Sequence, residues 1–498
     1  MATYLNKGYL TANFKATTRP LKSDPSKVEV VYTIDEGPQV HAVSVVQLGA
    51  QHTRPEIIAH NAKISTGQPL SETQLLESES KLYTLGVFDW ANVDPLRPVT
   101  DDPNEEVLIK MHEAKRNTIT YGFGFEVINR GGSVPGGTVA LPNLPPVGLP
   151  SSFKASEKTF WGPRGSIEYT RSNFRGRAET FTIGGLAARL DQRGAITWSN
   201  PSFWDSIWST TLTFTGERTS ENPIFTSRLV QAGYQFQRPL DTRKTQTLFL
   251  RYSFRHTSLT NILIPDLVTP QDQRERLSTL SASYTRDTRD NSLDAHRGIY
   301  ESLDLAMNPS VLGSNTNFGR MLGQAAYYQH VGGNNVVWAN SLRLGFEQAF
   351  AGAHIPLSER FFSGGGSTIR GFPLNGAGPQ RDVAVCSNPA DQSTCSKIRV
   401  PVGGAQLIIF NSEVRFPMPL PLPFIGGDKL GGVIFYDGGN VFTSIGFGNF
   451  FDQYTNTLGF GIRYATPVGP VRIDIGHNMN PIPGVKATQL FITLGQAF

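Results

Sequence analysis

The residue best placed to do chemistry is Arg370. It stands in the stretch Ser363 to Pro379, SGGGSTIRGFPLNGAGP, where Gly364, Gly365 and Gly366 lead into Ile369-Arg370-Gly371-Phe372. Glycine takes positive φ without penalty and proline fixes its own φ. The stretch is therefore expected to be bent and specified, with no helix or strand running through it. One guanidinium between small residues and beside Phe372 suits a cation pushed into a confined, partly dry space, where it needs carboxylate partners. The same residues also fit a flexible surface loop with a solvated arginine. On local sequence both readings stand.

Other reactive groups are few. Cys386 and Cys395 are the two cysteines, in one Pro/Ser/Asn-rich segment with no histidine nearby. The pair reads as a small disulfide made in an oxidising compartment; two thiols alone do not close a tetrahedral zinc site. His112-Glu113 is half of a zinc-protease motif with nothing after it, and Asp287 and Asp290 fall in a turn. No nucleophile elbow, Walker loop or dinucleotide fingerprint occurs. Neither an enzyme, a metal site nor a cofactor is expected. A net charge of +4 is too small and dispersed to argue for nucleic acid.

The elements that must position Arg370 show in the composition. Charged residues are 17% of the 498, against about 25% in an average soluble domain. Glycine is abundant, aromatics reach 10%, and mean hydropathy is only −0.23. No apolar run of about 18 residues marks a membrane helix. This combination fits a transmembrane β-barrel, whose lipid-facing and lumenal residues alternate and average out; a soluble all-β protein is the alternative.

From residue 116 onward, period-two alternation takes over. Leu248, Leu250, Tyr252 and Phe254 share one face; so do Trp338, Leu342, Leu344 and Phe346; so do Ile408, Phe410, Val414 and Phe416. Sixteen such segments fit, from 118–127 to 488–498, many of them longer than the roughly 9–11 residues a membrane strand needs. An even count and alternating short and long connectors suit a bacterial barrel. The fold class is thus an all-β transmembrane barrel of sixteen antiparallel strands over 116–498. Its long loop, 351–401, lies between strands eleven and twelve and carries Arg370.

Ahead of the barrel, Val28–Ile34 and Val40–Leu48 read as strands. Thr53 is expected to cap a helix with Pro55 in its first turn. Ser71 and Gln74 have capping-box spacing for a second helix ending at Gly86. Strands at Phe88–Val93 and Glu106–Met111 complete a β-α-α-β-β order. IDEGPQV, SETQLLESESKLYTLGVFDWANV and EEVLIKMHEA resemble the POTRA domain, most specifically over Leu82 to Phe88. The resemblance implies a POTRA at 38–115 and the C-terminal half of another at 1–37. It implies client binding by strand addition at a sheet edge; a rigid spacer is the other reading. The opening residues have no signal-peptide pattern, so an export signal and further modules are expected upstream.

Four barrel stretches are similar to the BamA/TamA-type outer-membrane assembly factors: Asp287–Asp290 with Arg297-Gly298, Ile369–Phe372, Phe435–Asn440 and Gly469–Asp474. The resemblance implies that the long loop folds into the barrel and that Arg370 meets Glu413 and Asp437. Alternation agrees, since Glu413 lies opposite Phe410 and Val414, and Asp437 shares a face with Val433 and Phe435. Independent lumenal charges are the alternative. The resemblance also implies a seam between strand one (Tyr121, Gly122 and Gly124) and strand sixteen (Leu494, Gly495 and Phe498), with glycine weakening the pairing. It implies unfolded outer-membrane protein clients, outer-membrane lipid around the barrel, and periplasmic accessory proteins or lipoproteins. A two-partner-secretion pore and a passive porin remain as alternatives.

Overall fold

The computed structural model describes residues 1–21, 24–97, 102–129, 138–140, 159–220, 225–262, 268–332, 336–386, 395–418, 429–444, 447–466, 470–480, 482 and 485–494. Two compact units divide the chain. One comprises Met1–Thr120 with Glu168–Ile183 and Thr197–Thr210; the other holds the rest.

A short helix α1 (Ala2–Leu5) opens the chain. Strands β1 (Asn13–Leu21) and β2 (Asp24–Asp35) then pair as a separate two-stranded antiparallel sheet. Next come β3 (His41–Leu48), α2 (Pro55–Ala62), α3 (Glu72–Thr84), β4 (Phe88–Pro95) and β5 (Asn104–Glu113). The sheet order is β3-β5-β4, and β3 lies parallel to β5, a pairing that needs a long crossover between the strands. Ile58, Leu82, Val107 and Ile109 are fully buried where helices meet sheet. Ser71 caps α3, its hydroxyl accepting from the Gln74 amide at 3.4 Å. Thr53 does not cap α2, whose N-cap is Arg54. The Thr53 hydroxyl, one position before the cap, donates instead to Glu113 at 2.6 Å and accepts from Asn173 at 2.8 Å, so both its donor and its acceptor are engaged away from the helix.

The remaining strands are β6 (Asn117–Asn129), β7 (Thr138–Ala140), β8 (Thr159–Phe174), β9 (Glu179–Ala188), β10 (Asp191–Asn200), β11 (Ser209–Thr219), β12 (Thr226–Pro239), β13 (Gln246–Thr260), β14 (Arg274–Asp287), β15 (Gly298–Asn308), β16 (Phe318–His330) and β17 (Val337–Ala349). After the long loop, with β18 (Gln380–Cys386) and β19 (Cys395–Pro401), come β20 (Gln406–Pro417), β21 (Leu430–Phe442), helix α4 (Phe447–Gln453), β22 (Thr455–Tyr464), β23 (Val471–Asn478) and β24 (Thr488–Leu494). Sixteen of these strands make one sheet in chain order, with β6 and β24 at its two ends. Strands β19, β18 and β7 form a small sheet of their own. The 351–401 connection is therefore not a single irregular loop: its second half is a hairpin that also pairs with β7 from the β6–β8 connection.

The large sheet is inverted relative to a soluble protein. Leu250, Phe254, Leu305, Leu344, Ile434 and Phe460 are exposed, while Ser341, Asn411, Glu413, Asp437, Thr457 and Asp474 are buried. Water would penalise that apolar face; lipid does not. This distinguishes a transmembrane barrel from a soluble sandwich, whose alternation runs the other way. Among the described residues no helix is long and apolar enough to cross a membrane.

Candidate functional site

The long loop lies against the polar face of the sheet. After β17 the chain forms an isolated bridge between Phe361 and Gly404 and another between Ser363 and Ala377. Gly364 and Gly365, with φ of +105° and +103°, occupy backbone that side chains rarely tolerate. The Phe372 carbonyl accepts from the Gly365 amide at 3.0 Å, which closes the loop. Ile369 and Phe372 are fully buried and pack with Phe361, Leu407, Ile409 and Val441. These apolar anchors leave Arg370 one way to point.

Arg370 is 1% exposed. Its Nε and Nη2 donate to the two carboxylate oxygens of Asp437 at 2.8 and 2.7 Å, and its backbone amide donates to Asp437 at 3.0 Å. Nη1 donates to Glu413 and lies 3.7 Å from Asp474 Oδ2. Phe435 supplies a ring beneath the guanidinium. The fork-on-fork pairing with Asp437 is the geometry that only arginine provides. The structure thus brings Arg370, Glu413 and Asp437 together.

The cluster is larger than the three residues named from sequence. Asn411 donates to Asp437 Oδ1 at 2.8 Å and to the Thr368 carbonyl at 2.7 Å. Arg415 donates to Glu413 Oε2 at 2.9 Å. Arg463 donates to Asp474 Oδ1 at 2.5 Å, and Arg472 reaches Asp474 at 3.4 Å and the Gly366 carbonyl at 2.7 Å. Period two carried a signal for several of these: Asn411, Glu413 and Arg415 share a face, as do Arg472 and Asp474. Arg463 alternates with exposed Phe460 and Ile462 and carries the same signal; its pairing with Asp474, on the next strand, is what alternation does not give.

Glycines let backbone and wall approach. A Cβ on Gly476 would stand 2.3 Å from the Arg370 carbonyl oxygen, and one on Gly371 would stand 2.3 Å from Thr457 Oγ1. Among the described residues no group of His, Cys, Asp and Glu is arranged to hold a metal ion. Chemically the arrangement is a clasp, tying the loop to β20, β21, β22 and β23.

The other residues singled out from sequence lie apart from this cluster. Tyr121 is 71% exposed on β6, and Gly122 and Gly124 follow on the same strand. Leu494 is the last residue of β24; Gly495 and Phe498 lie outside the described residues. Among the described residues no ladder joins β6 to β24. Cys386 and Cys395 are direct cross-strand partners in the β18–β19 ladder.

Fold and site together define a class: an outer-membrane β-barrel with a POTRA-like α+β module ahead of it and an arginine-clasped loop on its polar face. Residues 173–498 match the Omp85 superfamily domain, and the chain belongs to that superfamily. It is similar to the outer membrane protein assembly factor BamA of Nitratidesulfovibrio vulgaris, 21% identical over 474 residues, covering 95% of this chain and 53% of that protein. It is also similar to BamA of Neisseria meningitidis serogroup B, 22% identical over 517 residues, covering 97% of this chain and 60% of that protein. The chain therefore spans about half to three-fifths of the length of these curated relatives. Among solved structures it resembles BamA from Haemophilus ducreyi lacking POTRA domains 1-3, with TM-score 0.73, 15% identity, and coverage of 99% of this chain and 91% of that one. It also resembles CdiB from Acinetobacter baumannii, with TM-score 0.52, 12% identity, and coverage of 99% and 80%. At such identities these structural likenesses concern the fold.

Proposed function

We propose that this chain is the membrane-inserting part of an outer-membrane protein assembly factor. Residues 38–115 form a periplasmic POTRA domain and 1–37 part of another, and they receive unfolded client proteins, with periplasmic lipoproteins as accessory partners. The barrel, 116–498, opens sideways between β6 and β24. A client strand pairs with the freed edge, so its backbone groups are handed from one partner to another in lipid and never left empty. Neither a cofactor nor ATP enters this scheme. The observation that carries the reading is the sheet's ordering: it begins at glycine-bearing β6 and ends at the short β24, while the clasp holds the loop against β20 to β23.

The test is a cysteine cross-link between β6 and β24, scored by insertion of an unfolded client barrel into liposomes. Insertion should stop when the seam is locked and resume on reduction; undiminished insertion by the locked protein would refute lateral opening. The likeness to CdiB gives a second reading, a translocation pore for one secreted partner, in which the locked seam would leave transport intact. The higher TM-score to BamA favours the first.

A further inference from the structure

A second charged feature lies where β20, β21 and β22 meet the end of the sheet that carries the short turns. A cavity of about 270 Å³ opens there, lined by Arg415, Arg463 and Lys429, with His296 and Asp294 contributed by the turn after β14. Three permanent cations thus face a single carboxylate, and Asp294 lies 4.0 Å from His296. Arg415 and Arg463 are buried, while Lys429 is exposed at the rim.

Charge balance behind the cavity points the same way. Arg370, Arg415, Arg463 and Arg472 pair with Glu413, Asp437 and Asp474. Among the described residues four guanidinium groups thus share three carboxylates, and burying an unbalanced charge is costly. Among the described residues Nε of Arg463 is buried with no hydrogen-bond partner, and its Nη2 lies 3.6 Å from Glu413 Oε1. An anion in the cavity would offset the surplus.

We propose that this cavity binds a phosphate group, as free phosphate or as the phosphodiester of an anionic lipid headgroup. Two guanidinium groups and one ammonium line this cavity; Arg415 already serves Glu413 and the Ala295 carbonyl, so Arg463 and Lys429 are the cations that would meet the phosphate oxygens. Gly431 and Gly432 line the cavity wall, with Phe416 and Met418 packed against Gly432. The proposal does not depend on how the barrel handles its clients.

The test uses the full chain, folded in phosphate-free detergent. One arm titrates inorganic phosphate by 31P NMR at constant ionic strength against sodium chloride. The other measures retention of phosphatidylglycerol against phosphatidylcholine by native mass spectrometry. Saturable one-to-one binding in the phosphate arm identifies the free anion as sufficient; binding confined to phosphatidylglycerol identifies a headgroup site. Lys429→Gln, at the exposed rim, should weaken binding about tenfold, the scale of one charge-assisted hydrogen bond. Lys429→Glu should abolish it, and Lys15→Gln, far from the cavity in sequence and on exposed β1, should not change it. Absence of binding in both arms, or unchanged binding by Lys429→Glu, overturns the proposal.

Discussion

The guanidinium of Arg370 lies over the ring of Phe435, its central carbon 3.4 Å from the ring centroid. Phe435 and Asp437 are two residues apart on β21, so the pleat turns both to the same side. One strand therefore offers a stacking surface and a bidentate acceptor in a single repeat. A desolvated cation over an aromatic face is worth about 2 kcal/mol, and the fork pairing adds direction to that energy.

Arg370→Ala should destabilise the folded barrel by about 3–5 kcal/mol, the usual cost of removing one member of a buried ion pair. Arg370→Lys keeps the charge but loses the fork and the stacking, so it should rescue only part of the loss. Thermal unfolding in detergent, read alongside protease cleavage within 351–401, checks both. Wild-type stability in Arg370→Ala would mean that the clasp contributes nothing to holding the loop.

Gly476→Ala should dislodge the loop. The added methyl would meet the Arg370 carbonyl oxygen at 2.3 Å, and backbone cannot swing aside as a side-chain tip can. Overpacking of this kind costs about 1–3 kcal/mol. Gly124→Ala on β6, with nothing within 4 Å, is the steric control. Comparable melting of both variants would contradict the close approach.

The α+β module should carry an acid-sensitive contact at Glu113. Burial alone would raise its pKa, but the Thr53 hydroxyl, both backbone amides and the His52 ring hold it down at about 2, from 4.5. A carboxylate with a depressed folded pKa stabilises above its unfolded value, and that contribution disappears as pH falls through the folded one. The stability advantage of the wild type over Glu113→Gln should thus be full above pH 4.5 and shrink toward pH 2. Trp90 on β4 gives the fluorescence readout. Asn173 donates to Thr53 Oγ1 at 2.8 Å, so Asn173→Ala should weaken the same contact. A pH-independent difference would argue against Glu113 as its centre.

Cys386 and Cys395 should be bonded to each other in the oxidised protein. Direct antiparallel partners have Cα atoms about 4.5–5.5 Å apart, inside the range a disulfide spans. Denatured, unreduced protein should take up no alkylating reagent, and reduced protein should take up two equivalents. The small loop closed should give roughly 2–3 kcal/mol to the hairpin. Alkylation without reduction would show that the pair is open.

Local patterning was enough to assign the sixteen long strands of the large sheet and their faces. Alternation of period two is a local property of the pleat, so Leu344 against Ser341, or Val414 against Glu413, can be assigned without knowing any neighbour. It also isolated Arg370, because a glycine-rich turn needs no tertiary context to be bent. Which distant groups meet, by contrast, depends on the folded sheet. Asp474 and Arg463 joined the clasp because sheet order and register place β22 and β23 beside β21, and no short-range pattern encodes register. Thr53 left its expected cap because its hydroxyl donates to Glu113, 60 residues on, and accepts from Asn173, 120 residues on, two partners that only the folded chain brings near. The hairpin of β18 and β19 and the surplus of buried guanidinium likewise exist only once the chain has folded, since pairing and charge balance are properties of neighbours in space.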